Sequence, residues 1–338
     1  MSEFDNLLEE FEKTPVKTTT TGKKLTTTAA VNEIVNSIMN VVALNSGDMI
    51  AEMLIPKIQQ KIEKEIGLIP PRIEVKANEQ VKIIEGVTHE KFETVLQMVN
   101  MDIPVYMTGK AGTGKNVICK QVAEALGLDF YFTNAVTQEY KLTGFIDANG
   151  HYQETQFYKA FTKGGLFFLD EMDASVPETL IVLNAAIANR YFDFPCGKVE
   201  ANPKFRVIAA GNTFGTGADI NYTGRYSLDK ASLDRFAVVQ IDYSPKIESN
   251  LADGDNDLLD FVHGFRTAAD KACVECICSY RTIERISKLK GVLSSLQEVL
   301  EAALTKGMDK DTRNTIINRM NEDPSLGNNP YVAAFKKI

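Results

Sequence analysis

The stretch Gly109-Lys110-Ala111-Gly112-Thr113-Gly114-Lys115-Asn116 constrains the fold more than any other part of the chain. It fits the pattern G-x-x-x-x-G-K-[ST] at every position but the last, where Asn116 stands in place of a hydroxyl residue. The apolar run IPVYMT precedes it and VICKQVAEALG follows it, which reads as strand, loop and helix. A glycine-rich turn in that context lets several backbone N–H groups converge on phosphate oxygens, and the helix N-terminus adds its dipole. Gly109 through Val117 are therefore the candidate nucleotide contacts, with Lys115 neutralising the β- and γ-phosphates.

Four more short apolar runs alternate with helical stretches: FYFT at 130–133, LFFL at 166–169, FRVIAA at 205–210 and VVQI at 238–241. With IPVYM at 103–107 they predict an α/β fold, a five-stranded parallel sheet covered on both faces. Beyond Ile241 the pattern is helical to the end, with Ser279 as one cap and a turn at Lys306-Gly307.

Two of these strands end in residues that complete a phosphoryl-transfer site. LFFL runs into Asp170-Glu171, about 55 residues after the phosphate loop. Asp170 is the expected magnesium ligand, with the amide oxygen of Asn116 as a second hard, neutral ligand. Glu171 is placed to polarise an attacking water. FRVIAA runs into Gly211-Asn212, and Asn212 is the candidate that orients that water. Asp173 and Glu178 read as surface or helix-capping acids, and His89 as a surface residue. Cys273, Cys276 and Cys278 lack a usual zinc spacing and read as helical positions on the core of the C-terminal region.

The N-terminal part is different. Residues 1–28 form an acidic segment followed by a threonine-rich stretch, predicted to be a flexible tail. Two apolar stripes at helical spacing predict a helical hairpin over 29–76 that ends at Pro70-Pro71. The nucleotide-binding α/β domain is expected over 77–243 and a helical lid over 244–338. A net charge of -8 gives no broad basic surface for nucleic acid. Five cysteines in 338 residues point to reduced thiols and a cytoplasmic protein, and neither a signal peptide nor a membrane-length apolar run is evident.

The order of phosphate loop, LFFLDE, GNTFGTG, LDRF and a late Ser-x-Arg resembles the AAA+ ATPases. Within them GNTFGTGAD, YTGRYSLDKASLDRF and DEMDAS are most similar to the MoxR branch, which includes the small ATPase subunit of cobaltochelatase and its phage-encoded relatives. The resemblance covers roughly residues 85–290. It implies a P-loop AAA+ core with a C-terminal helical lid and an N-terminal helical extension. It implies ATP and Mg2+ as ligands, with ATP hydrolysis as the activity. Arg235 matches the finger that reaches the γ-phosphate of a neighbouring subunit, with Arg225 as a nearby alternative, and Arg281 matches the lid arginine that contacts nucleotide in its own chain. A finger supplied in trans requires a homo-oligomer, by resemblance a hexameric ring. Two hairpin insertions, at 142–152 and 191–200, face the pore or partner in relatives and make His151, Tyr152 and Phe194 candidates for contact. The implied partner is a protein, often one with a von Willebrand factor A-type domain, which the ring remodels. A nucleic-acid motor or loader shares the same motifs. A nucleotide-gated scaffold with little turnover is the reading that Asn116 favours.

Overall fold

The computed structural model describes residues 73–77, 80–84 and 87–338, apart from 219–221, 275 and 306. The tail expected over 1–28, and the expected helical hairpin up to residue 72, lie outside the described residues. Ile73–Ala77 is a strand, β1, paired antiparallel with β2 (Gln80–Ile84). Its alternation of apolar and charged residues has the period of a strand.

After α1 (Phe92–Asn100), β3 (Val105–Thr108) enters the phosphate loop and α2 (Lys115–Leu126) leaves it. Then come β4 (Phe130–Thr133), the short helix α3 (Tyr140–Thr143), the hairpin β5 (Phe145–Ile146) and β6 (Tyr152–Gln153), and α4 (Gln156–Lys163). The third sheet strand, β7 (Gly165–Leu169), leads through a single 3-10 turn to α5 (Pro177–Asn189). A second hairpin, β8 (Tyr191–Phe194) and β9 (Gly197–Glu200), precedes β10 (Phe205–Gly211), α6 (Lys230–Leu233) and β11 (Ala237–Gln240). The five strands form one parallel sheet in the order β11-β3-β10-β7-β4.

Period-2 alternation divides the sheet's side chains between two cores. Val105, Met107, Leu166, Phe168, Ile208 and Ala210 pack with α1 and α2 on one face. Tyr106, Phe167, Leu169, Phe205, Val207 and Ala209 pack with α4 and α5 on the other. Both faces of the central strands are thereby buried, so these strands are almost wholly apolar, with Arg206 near the start of β10 as the charged exception.

The C-terminal helical part, the expected lid, has its own core, built by α7 (Pro245–Leu251), α8 (Asn256–Lys271), α9 (Tyr280–Leu289), α10 (Leu296–Leu300), α11 (Lys310–Met320) and α12 (Pro330–Phe335). Phe261 and Phe265 of α8 meet Ile283 and Ile286 of α9, Ile316 of α11 and Phe335 of α12 in one cluster. Ser279 starts α9 with a reciprocal capping box to Thr282. Among the described residues, no helix is long and apolar enough to cross a membrane.

Two expectations change here. The cysteine segment is a loop, not a helix: α8 ends at Lys271, Cys273 has φ +52°, and the next helix begins only after Ser279. Its Val, Ile and Cys residues are poor helix formers beside that strong cap. Cys273 is exposed, while Cys278 is buried and burial pushes its thiol up to about 12. His89 is buried, not on the surface. Its Nε2–H donates to the Asp242 carbonyl at 2.8 Å and its Nδ1 accepts the Lys91 N–H at 3.0 Å, tying the segment before α1 to the end of β11.

Candidate nucleotide-binding site

The phosphate loop is held from behind by close packing. A side chain at Gly109 would meet the Ile241 carbonyl oxygen at 2.0 Å, so only glycine lets the loop lie against the end of β11. Gly112, at φ +76°, abuts the cap of α9: a Cβ there would lie 2.6 Å from Ser279 Cβ. The Thr113 hydroxyl donates to the Lys110 carbonyl at 3.0 Å, closing the turn internally. Two tyrosines grip Ala111: the Tyr222 hydroxyl accepts its N–H at 2.9 Å and the Tyr243 hydroxyl donates to its carbonyl at 3.0 Å.

Lys115 opens α2 and is buried. Its ammonium donates to the carbonyls of Gly109 (2.7 Å) and Lys110 (3.1 Å) and to Asn212 Oδ1 (3.2 Å). Burial lowers its pKa to about 8, against the opposing pull of Asp170 and Asp173. A buried ammonium in this position is short of anionic partners, which suits it to phosphate.

Asp170 sits at the carboxyl end of β7. The Asn116 amide donates to its Oδ2 at 2.9 Å, and the Glu171 N–H donates to its Oδ1 at 3.0 Å. Asn116 thus joins the acid through its nitrogen and keeps its amide oxygen for a cation. Two adjacent hard oxygen donors at a phosphate loop fit magnesium, and Asp170 and Asn116 are the residues that would hold it.

Glu171 has φ +53°, an uncommon backbone conformation for a side-chain-bearing residue. Its carboxylate lies 3.4 Å from Arg225. A cleft of about 460 Å³ brings Gly112, Thr113, Gly114, Lys115, Asn116 and Val117 together with Asp170, Glu171, Asn212 and Arg281. Ala111 reaches the same cleft, whereas Gly109 and Lys110 support it from behind. Arg281 is exposed at the start of α9.

Arg235 is not in this cleft. It lies just beyond α6, exposed, and its guanidinium donates to the Ala231 carbonyl. Arg225 is mostly covered and paired with acids of its own chain. Of the hairpin candidates, His151 is exposed. Tyr152 is half-buried, its hydroxyl donating to the Thr143 carbonyl at 2.6 Å. Phe194 is not a surface contact: it is buried against Tyr158 and Phe161, with ring centroids at 4.9 and 5.6 Å. Strand alternation on β8 turns it inward while Asp193 turns out.

The largest correction concerns Asp173, which is fully buried and not a surface or capping acid. Its Oδ2 accepts the N–H groups of Asn212 (3.0 Å) and Thr213 (2.9 Å) and the Thr213 hydroxyl (3.0 Å). Tyr106 and Thr108 hold the same segment from below, both hydroxyls donating to the Thr213 carbonyl at 2.8 and 2.9 Å. The one sequence signal for Asp173 is its spacing, three residues after Asp170, which places it on the single turn following β7.

A phosphate loop, an acidic strand end and a polar strand end on this sheet order make an α/β core of the P-loop, AAA-like kind. In keeping with that, residues 104–236 match the family model described as AAA domain (dynein-related subfamily). An uncharacterized protein of Staphylococcus haemolyticus is 23% identical over 252 residues, covering 69% of this chain and 90% of that relative. One from Staphylococcus epidermidis is 27% identical over 252 residues, covering 67% and 93%. Among solved structures, NtrX from Brucella abortus aligns with a TM-score of 0.40 at 16% identity, over 83% of this chain and 58% of that one. Its complex with ADP aligns with a TM-score of 0.39 at 17% identity, over 77% and 58%.

Proposed function

We propose that this chain is a magnesium-dependent ATPase of the AAA+ class that works as a ring and remodels a protein partner. The observation that carries the reading is the convergence of Lys115, the Asn116–Asp170 pair, Glu171 and Asn212 on one cleft, which the lid residue Arg281 also lines. Lys115 binds the β- and γ-phosphates of ATP. Asn212 orients a water, and Glu171 takes its proton as the water oxygen attacks the γ-phosphorus and ADP leaves. Magnesium, when bound, neutralises charge on the phosphates. Arg281 reads the nucleotide from the lid of the same chain. Arg235, exposed and outside the cleft, is the finger for a neighbouring subunit, which makes each site complete only in an oligomer, by resemblance a hexamer.

The lid's contacts with the phosphate loop, Ser279 against Gly112 and Asp270 with Lys110, support a coupling of nucleotide state to movement between lid and core. Exposed Phe145 and Ile146 on the first hairpin, with no Lys or Arg from Asp147 to Tyr152, favour a protein over a nucleic acid as the partner. The GNTFGTG and LDRF blocks support the MoxR branch beside the cobaltochelatase small subunit, with a von Willebrand factor A-type protein as partner and a cytoplasmic location. Glu171→Gln tests the reading: it retains ATP binding and loses at least about 10²-fold in turnover. Normal turnover in that variant would refute the assignment. Affinity purification of the Glu171→Gln form with ATP, followed by mass spectrometry, identifies the trapped partner.

A further inference from the structure

We infer that Arg225 acts within its own chain as a positioning residue that ties Glu171 to Asn212 through Asp173. The inference rests on the ATPase reading above. Arg225 Nη2 lies 3.4 Å from Glu171 Oε1 and Nη1 lies 3.6 Å from Asp173 Oδ1. The guanidinium therefore bridges an acid that opens to the cleft, 41% exposed, and one that is fully buried. Asp173 in turn holds the backbone of Asn212 and Thr213 through its other oxygen. The residue that takes the proton and the residue that orients the water are thus joined by one arginine and one carboxylate.

Three features make this a fixed part of the chain and not an arm for a neighbour. Asp173 Oδ1 is buried and has no hydrogen-bond donor among the described residues, so the Arg225 charge is what offsets it. Withdrawing that charge would leave a buried carboxylate under-compensated. The backbone around Arg225 is pinned on the same side: the Tyr226 N–H donates to the Asp173 carbonyl at 2.7 Å, and Leu228 N–H to the Gly215 carbonyl at 2.9 Å. Its guanidinium also lies 5.9 Å from the ring centre of Tyr222, whose hydroxyl accepts the Ala111 N–H of the phosphate loop. Among the described residues Arg225 engages Oε1 of Glu171, which leaves Oε2 its lone pairs for a proton. Without the arginine the carboxylate swings freely on a strained backbone, and a misplacement of about 1 Å costs on the order of 10² in rate.

The test uses the full-length chain and single-turnover hydrolysis of magnesium-ATP by wild type, Arg225→Ala, Glu171→Gln and the double variant. Arg225→Ala is expected to slow the step roughly 10²-fold, while affinity for a fluorescent ATP analogue stays within about threefold. The double variant is expected to be no slower than Glu171→Gln alone, because Arg225 acts through Glu171. Losses that multiply would mean that Arg225 acts on the nucleotide independently, and would overturn the inference. A second cycle reads the urea midpoint of the nucleotide-free protein for Arg225→Ala, Asp173→Asn and both together. The expected double variant unfolds no earlier than the weaker single variant; additive losses would overturn the pairing. Arg225→Lys keeps the charge without the fork, runs through both cycles if the alanine form does not fold, and should give an intermediate rate. A wild type without turnover sinks the ATPase reading and the clamp together, whereas wild-type turnover with multiplying losses sinks the clamp alone.

Discussion

Replacing Asp173 with alanine removes one buried carboxylate and strands four groups at once: two backbone N–H groups, the Thr213 hydroxyl and the Arg225 guanidinium. Breaking a buried ion pair by deleting one partner costs about 3–5 kcal/mol, and water entering the space recovers only part of the lost hydrogen bonding. At about 2–4 °C per kcal/mol for a folded unit of this size, the melting temperature should fall by roughly 10 °C. Urea unfolding of the nucleotide-free protein measures this, with the slope against urea unchanged if the variant unfolds in the same single step. Asp173→Asn keeps an oxygen acceptor for the two amides but removes the buried one of Arg225's two charge partners, so it should fall between wild type and alanine. Glu178→Ala, an exposed acid in the first turn of α5, is the control and should lie within about 0.5 kcal/mol of wild type. A Cβ at Gly211 would sit 2.9 Å from the Asp173 carboxyl carbon and 2.0 Å from the Tyr106 hydroxyl, so Gly211→Ala should strike the same contact from the other side. If Asp173→Ala cost no more than Glu178→Ala, the central place given to Asp173 would be wrong.

Burial lowers Lys115 to about 8 from an ordinary 10.5, so the unfolded chain holds more protons than the folded one between those values, and this residue adds stability as pH rises through that window. Lys115→Met should therefore stabilise the nucleotide-free protein most below pH 8, with the advantage over wild type shrinking toward pH 10.5; a pH-independent difference in urea midpoint contradicts this. Asn116→Thr replaces the amide that donates to Asp170 with a hydroxyl that can do the same, so calorimetry should show magnesium-ATP binding at least as tight as wild type. Loss of ATPase in that variant would give the amide a role beyond this contact. Phe194→Ala opens a hole in an aromatic core and should cost about 3–5 kcal/mol in chemical unfolding, where a surface role at the hairpin would cost almost nothing.

The sheet was legible because its strands carry their own signal. LFFL is apolar on both faces and FRVIAA nearly so, Arg206 apart, as a buried parallel sheet requires, and their ends coincide with the candidate site residues. The phosphate loop, Asp170, Glu171 and Asn212 could be placed because each is a short-range pattern attached to a strand. Asp173, His89 and Phe194 were misread for the opposite reason. Their partners are distant in sequence: Asp173 meets Asn212 and Arg225, His89 meets Asp242, and Phe194 meets Phe157 and Phe161. An acid four positions after a strand, or a histidine before a helix, carries no local mark of the partner that buries it. Arg225 and Arg235 share one short motif in sequence, and only the fold separates them, one under acids and one in the open.

The strand order has a consequence for how the protein is made. β7 can pair with β4 as soon as some forty residues have followed β4. β3 pairs with β10 and β11, strands that end at Gly211 and Gln240. At about 5–20 residues per second, the ribosome takes roughly ten seconds to go from the phosphate loop to β11. Both edges of β3 are open until β10 is made and one stays open until β11 follows, and throughout the interval the backing that Ile241 gives to Gly109 does not yet exist. The phosphate loop is written early and takes its shape late, so a nascent chain completes it only after the end of the sheet has left the ribosome.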